Sequence, residues 1–300
     1  MADALCAVGQ TLASLGSKDA CHNAMGQIDF RLRRQLRAYA RIDPPPHRVK
    51  PIPIVIIRHV ITMASTIVDT AVADMILIAF FFLLRPGEYT GSNNDDTPFR
   101  LADVQLFINR RRLAFLTCSD ADLAAATSVS LTFTSQKNGV RGEVVNHGIS
   151  GHPLLCPVQA IIRRIRHFRA NNATPETVLA SYYHNGRWHK VLAAQITAAL
   201  KASAVIHGPT YGFQPADVSA RSLRAGGAMA LFNSNVDSDT IRLLGRWQSD
   251  AMLRYLHLQA QPVMRHFARR MVRGGDYTFH PNQHIPDPAN PQGPDLVPMH

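Results

Sequence analysis

Residues Ala220 to His257 read ARSLRAGGAMALFNSNVDSDTIRLLGRWQSDAMLRYLH, and their punctuation divides them into short helices that carry an arginine and a tyrosine on separate elements. A first helix is expected from about Ser222 to Phe232, ended by the breaker cluster Asn233, Ser234 and Asn235. Asp237, Ser238 and Asp239 offer N-caps for a second helix through Leu244, and a third begins near Ser249. Gly226 and Gly227 inside the first helix are each unfavourable by roughly 1 kcal/mol relative to alanine, so they predict that another backbone or a ligand approaches closely. Arg224 and Tyr255 stand out as candidate site residues.

Upstream, DMILIAFFFLLR (Asp74 to Arg85) holds an apolar run from Met75 to Leu84, too short to span a bilayer, which takes about twenty residues. It predicts a buried helix that delivers Arg85 to its end, followed by a sharp turn at Pro86-Gly87 and by Glu88. Arg85 is either a cation capping a helix C-terminus or a site residue. Leu101 to Phe115 and Val129 to Ser135 have strand character, and Asn138-Gly139 closes a hairpin that returns through Glu143, Val144 and Val145, with Lys137 at its tip. Cys156 to Ala170 starts a helix with Pro157 near its first position and an apolar stripe of Val158, Ile161, Ile162 and Ile165. Arg163, Arg164, Arg166 and Arg169 crowd its other surface without a glutamate among them, so their repulsion is relieved only if phosphates arrive. A further helix is expected near Leu192 to Ala204, and the aromatics Tyr182, Tyr183 and Trp188 are read as core packing in preference to base stacking. These elements sum to a mainly α fold with a small antiparallel β-sheet.

The first 48 residues read as the end of a helical segment. Ile28 to Ile42 puts Leu32, Leu36 and Tyr39 on one face and Arg31, Arg34, Arg37 and Arg41 elsewhere. A stiff Asp43-Pro44-Pro45-Pro46 linker then leads into a larger domain over 49–273, and the tail from Gly274 is expected to be disordered. The chain of 300 residues carries 32 Lys and Arg against 21 Asp and Glu, a net charge of +11. Such a balance favours a polyanion, nucleic acid before a membrane surface. The four cysteines are scattered without a CxxC pair, as in a reduced intracellular protein, and no basic run followed by an apolar block marks Met1 to Gln10 as a signal peptide. His147, His152 and Cys156 match no zinc spacing, so no metal or other cofactor is expected.

Taken together, LLRPGE (Leu83 to Glu88), SQKNG (Ser135 to Gly139), SLRAGGA (Ser222 to Ala228) and GRW (Gly245 to Trp247) followed by Tyr255 resemble the catalytic domain of tyrosine recombinases, the phage-integrase class. The likeness is strongest to versions carried by eukaryotic mobile elements and spans roughly Pro51 to Arg270. It implies that Tyr255 attacks a DNA phosphodiester to form a 3′-phosphotyrosine link. Arg85 and Arg224 would clamp the non-bridging oxygens through forked donors that keep their charge, and Lys137 would protonate the departing 5′-oxygen. Arg221, Arg246 and Trp247 occupy further motif positions, and Glu88 accompanies Arg85. Arg163, Arg164, Arg166 and Arg169 would bind DNA outside the site. The resemblance further implies double-stranded DNA as partner, a homotetramer on that DNA, no membrane, and a nuclear location in a eukaryote.

Two positions depart from the family. Arg221 stands where a histidine or lysine is usual, three residues before the second arginine, and a guanidinium shuttles no proton at neutral pH. Arg246 stands where histidine or tryptophan is usual, nine residues before the tyrosine. Three readings therefore stand open: a recombinase, a DNA-binding remnant that no longer cuts, and a type IB topoisomerase-like nicking-closing enzyme.

Overall fold

The computed structural model describes residues 2–19, 21–22, 25, 27–42, 50–90, 98–134 and 142–247. The hairpin tip with Lys137, the helix expected near Ser249, Tyr255, the basic stretch after it and the tail lie outside the described residues. The chain divides into two compact units, Met1–Arg48 and Val49–His300. The first contains α1 (Ala2–Ser14) and α2 (Phe30–Ile42). Along α2 Arg31, Arg33, Arg34 and Arg37 are exposed, while Leu32 and Leu36 are half-buried.

In the second unit the elements follow as α3 (Ile54–Met63), α4 (Ile67–Phe81), α5 (Pro86–Tyr89), β1 (Val104–Ile108), β2 (Arg111–Arg112), α6 (Asp120–Ala124), β3 (Ser128–Phe133) and β4 (Glu143–Gly148). Then come α7 (Pro157–Ala170), β5 (Ser181–His184), β6 (Arg187–Lys190), α8 (Ala193–Tyr211), α9 (Ser222–Asn233) and α10 (Ser238–Leu244). This is the mainly helical architecture with a small antiparallel sheet. None of the described helices is long and apolar enough to cross a membrane.

Helix α4 is the centre. A reciprocal cap starts it: Asp69 N donates to Thr66 Oγ1 (3.1 Å) and Thr66 N to the Asp69 carboxylate (3.2 Å). Every residue from Ala71 to Phe80 is buried, so the helix is apolar all round and has to be packed all round. It meets α3, α7, α8 and α9. The four-stranded sheet runs β2-β1-β3-β4, antiparallel throughout. Val104 faces Leu131 and Leu131 faces Val145, which aligns one buried row of side chains across three strands.

One polar residue in α4 is buried with the rest. Asp74 is 1% exposed and accepts from Arg163 Nε (2.7 Å) and Nη2 (2.5 Å) on α7. Burial holds its carboxyl up at about 6, above the usual carboxylate range, although Arg163 and Arg164 pull the other way.

The arginine-rich surface expected on α7 is therefore corrected. Arg163 pairs with Asp74. Arg164 is 2% exposed, donates to the Leu179 and Ser181 carbonyls and lies 4.8 Å over the Phe168 ring. Arg169 donates to Phe115 O (2.6 Å), Cys118 O (2.9 Å) and Asp120 (3.1 Å). Repulsion is relieved by carboxylates and carbonyls from distant segments, and of the four only Arg166 is exposed.

Candidate active site

The site begins where two helices end. α4 closes with Leu83 in the left-handed region (φ +50°) and Leu84 N bonded back to Ala79 O at 3.0 Å. α10 closes the same way, with Arg246 at φ +55°, its own N bonded to Leu243 O (2.9 Å) and Trp247 N bonded to Arg242 O (3.0 Å). These are Schellman endings in which glycine usually takes the left-handed position. Each helix end leaves carbonyls without helical partners, at the negative end of the helix dipole.

Two guanidinium groups fill the space between those carbonyls. Arg224, on the first turn of α9, donates Nη1 to Leu83 O (2.7 Å) and Nη2 to Gly245 O, and its charged carbon lies 4.1 Å over the Trp247 ring. Arg246 donates Nη1 to Phe82 O (3.2 Å) and Leu244 O (2.9 Å), and Nη2 to Leu83 O (3.1 Å). Leu83 O thus accepts from both arginines. The two residues are 4% and 6% exposed.

Arg85 joins the cluster through Glu88. Its Nη1 donates to Glu88 Oε1 (2.8 Å) and its backbone N to Glu88 Oε2 (2.7 Å), while Arg246 Nη2 reaches Glu88 Oε2 at 3.3 Å. The Arg85 side chain is 29% exposed and that of Glu88 10%, so Arg85 is the guanidinium that meets solvent. Burial lowers the Arg246 guanidinium to about 10, opposed by Glu88 and furthered by Arg85, and it stays charged at neutral pH. Glu88, with Glu143 adding its charge at Arg246, stands among three guanidiniums, and the remaining surplus of positive charge with forked donors suits an oxyanion.

The glycines explain how α9 comes so close. A Cβ on Gly226 would stand 2.6 Å from Ile52 O, and one on Gly227 would strike Phe80 O and Leu83 Cδ2. The close approach expected from the sequence is that of two backbones, Ile52 and Phe80. Gly245 plays a similar part, because a Cβ there would overlap the Trp247 ring.

Of the residues singled out in the sequence, Arg85, Glu88, Arg224, Arg246 and Trp247 gather here. Arg221 is exposed at the start of α9, with its backbone N bonded to Ser219 Oγ at 3.2 Å. Arg163, Arg164 and Arg169 are engaged elsewhere. Lys137 and Tyr255 lie outside the described residues. The sequence reading missed Phe133, whose ring centroid lies 3.7 Å from the Arg246 guanidinium carbon, and the Leu83 carbonyl. No side-chain pattern announces a carbonyl, but Phe133 closes the apolar alternation of β3 and sits next to the expected hairpin. Among the described residues no group of three His, Cys, Asp or Glu side chains is placed to hold a metal ion.

No protein-family model matches the chain, and no curated protein matches it. Solved structures do resemble it. A XerA recombinase has a TM-score of 0.44 and 17% identity over 79% of this chain and 67% of that one. A Tn1549 transposon integrase in complex with transposon right end DNA has a TM-score of 0.42 and 14% identity over 78% and 68%. The same integrase in complex with circular intermediate DNA has a TM-score of 0.39 and 14% identity over 74% and 65%. The chain spans about two thirds of the length of these recombinases and integrases.

Proposed function

We propose that the chain cleaves and rejoins DNA strands through a covalent phosphotyrosine intermediate, as a recombinase or integrase of a mobile element. The observation that carries this reading is the gathering of Arg85, Arg224 and Arg246 around Glu88 and Leu83 O, from segments up to 163 residues apart in sequence. A strongly basic chain of net charge +11 fits a DNA partner. In this reading Arg85, held by Glu88 and open to solvent, takes the scissile phosphate, and its fixed positive charge, with that of the buried Arg224, stabilises the extra charge on phosphorus in the transition state.

Tyr255 supplies the nucleophile. Its oxygen forms a bond to phosphorus as the bond from phosphorus to the 5′-oxygen breaks. Lys137 gives a proton to that oxygen, and the phenolic proton leaves to water because Arg221 offers no basic nitrogen. A free 5′-hydroxyl from another strand then reverses the step, which is strand exchange. Chain length permits both contributions. Tyr255 follows Trp247 by eight residues and Lys137 follows Phe133 by four, tethers of at most about 28 Å and about 14 Å. Exchange between two duplexes calls for four copies of the chain on DNA.

The test is a nicked duplex that traps the intermediate by losing a short 5′-fragment. The wild-type chain is expected to form a protein–DNA adduct stable to denaturant, and Tyr255→Phe none. Binding without an adduct in the wild type, or an adduct that survives Tyr255→Phe, overturns the reading.

A further inference from the structure

Arg246 is enclosed in a way that a phosphate ligand is not. Four of the five N–H donors of its guanidinium are committed within the protein, to Phe82 O, Leu244 O, Leu83 O and Glu88 Oε2. The fifth, on Nε, is buried and has no partner among the described residues. The guanidinium carbon lies 3.7 Å from the centroid of the Phe133 ring, and the residue as a whole is 6% exposed. Nothing remains with which to fork onto a DNA phosphate. Its backbone is held in the left-handed region at φ +55°, a conformation that a long side chain adopts only where its surroundings impose it.

That enclosure joins four elements. Through Phe82, Leu83 and Leu244 the guanidinium ties the end of α4 to the end of α10. Through the Phe133 ring it ties both to the last residue of β3, opposite Glu143 on β4, whose charge also favours the protonated arginine. Through Glu88 Oε2 it fixes the carboxylate whose other oxygen orients Arg85.

We propose that Arg246 is a positioning residue seated on Phe133, and that it holds Glu88, and so Arg85, in register with β3 without itself touching DNA. A cation on an aromatic face is strongest where water is excluded, as it is here, and the planar fork that serves four acceptors at once is available to arginine and not to lysine. The proposal rests on the reading of Arg85 as a phosphate ligand, and it names Phe133 as a further residue that sets the geometry of that site.

Three measurements on the full chain decide it. First, the affinity for a labelled duplex is followed against salt. Arg85→Ala is expected to flatten the slope of log K against log salt by about one, the loss of one phosphate contact, while Phe133→Leu and Arg246→Lys leave it unchanged. Because Lys keeps the charge, Arg246→Met is also compared in the Arg85→Ala background, and a slope flattened by about one more in that double variant overturns the proposal. Second, the rate of adduct formation at saturating nicked duplex is expected to fall about tenfold in Phe133→Leu, with affinity within about twofold, and to recover in Phe133→Tyr, which restores an aromatic face. An unchanged rate, or no recovery with tyrosine, counts against it. Third, urea unfolding of Phe133→Leu, Arg246→Lys and the double variant is expected to show coupling of about fivefold in the unfolding constant. Additive effects overturn the proposal even if one variant folds poorly. A wild type that binds no DNA in a salt-dependent way sinks the phosphate reading alone, and the coupling measurement still decides whether Arg246 sits on Phe133 as described.

Discussion

Replacing Gly227 by alanine separates a propensity effect from a packing effect with opposite signs. In a free helix the change stabilises by about 1 kcal/mol. Here the added Cβ would strike Phe80 O and Leu83 Cδ2, and the neighbouring Gly226 is already against Ile52, where a Cβ would stand 2.6 Å from the carbonyl oxygen and 2.8 Å from Cγ2. Comfortable separations are about 3.5–4.0 Å, so α9 has to retreat from α4 by roughly 1 Å. Overpacking of this kind is destabilising by about 1–3 kcal/mol. The retreat also stretches the Arg224 Nη1 to Leu83 O bond, now 2.7 Å, beyond hydrogen-bonding range. A lost bond to a charged donor removes about 1.5–3 kcal/mol. After subtracting the propensity gain, Gly227→Ala is expected to lower stability by about 3 kcal/mol in urea unfolding followed by circular dichroism, and to slow adduct formation. Ala230→Gly, at an exposed position of the same helix, is the control and should lower stability by only about 1 kcal/mol. A Gly227→Ala chain that is more stable than wild type would refute the close α9–α4 contact and with it the placement of Arg224.

Three other outcomes are expected. Glu88→Gln leaves Arg85 and Arg246 without their shared charge, and should lower the stability measured in urea by about 3 kcal/mol; a change under about 0.5 kcal/mol would mean the carboxylate is not shared. Asp74 has a folded-state pKa of about 6, above its unfolded value, so it binds its proton more tightly when folded. Its stabilising contribution is full below about pH 4 and is lost as pH rises through about 6. Acidification from pH 7 to pH 5 should therefore favour wild type over Asp74→Asn by about 1 kcal/mol in urea midpoints, and a shift of the opposite sign would contradict this. The Arg100–Glu176 pair is short at 2.5 Å but its side chains are 57% and 67% exposed, so Glu176→Gln should change the melting behaviour by less than about 0.5 kcal/mol.

The sequence made some of this legible because the signals were local. The ends of α9 and α10 follow from the breaker cluster at Asn233–Asn235 and from Asp237, whose carboxylate accepts from Thr240 N at 2.8 Å. The burial of α4 follows from its unbroken apolar run. Other features also carry a local signal. Asn185-Gly186 is a hairpin pair, both residues have positive φ, and they join β5 to β6, the two strands that carry the aromatic cluster of Tyr182, Tyr183 and Trp188. Arg164 lies on the same helical face as Ile161, Ile165 and Phe168, so its burial was written in the spacing. What was not legible depends on partners far along the chain. Asp74 stands before the apolar run like a surface residue and is buried because Arg163, 89 positions later, reaches it. Arg246 is legible only as a motif position, because sequence reports its charge and not the four acceptors around it.

The way the arginines are held bears on the proposed reaction. A flexible cation on the surface has to be ordered when an anion arrives, and that ordering subtracts from the stabilisation of the transition state. Here the ordering is done during folding. Two helix C-termini face each other, their unpaired carbonyls fix Arg224 and Arg246, and the strain of left-handed Leu83 and Arg246 is borne by the packing of α4 against α9 and by the Phe133 ring. Arg85 is then oriented by a carboxylate that is itself held in place, and it alone of the three is open enough to meet a ligand without displacing a carbonyl. An arginine cluster built this way keeps its geometry in the absence of DNA, so substitutions that leave every charge in place but loosen the carbonyl frame, such as Gly227→Ala, should slow the reaction while leaving DNA affinity nearly untouched.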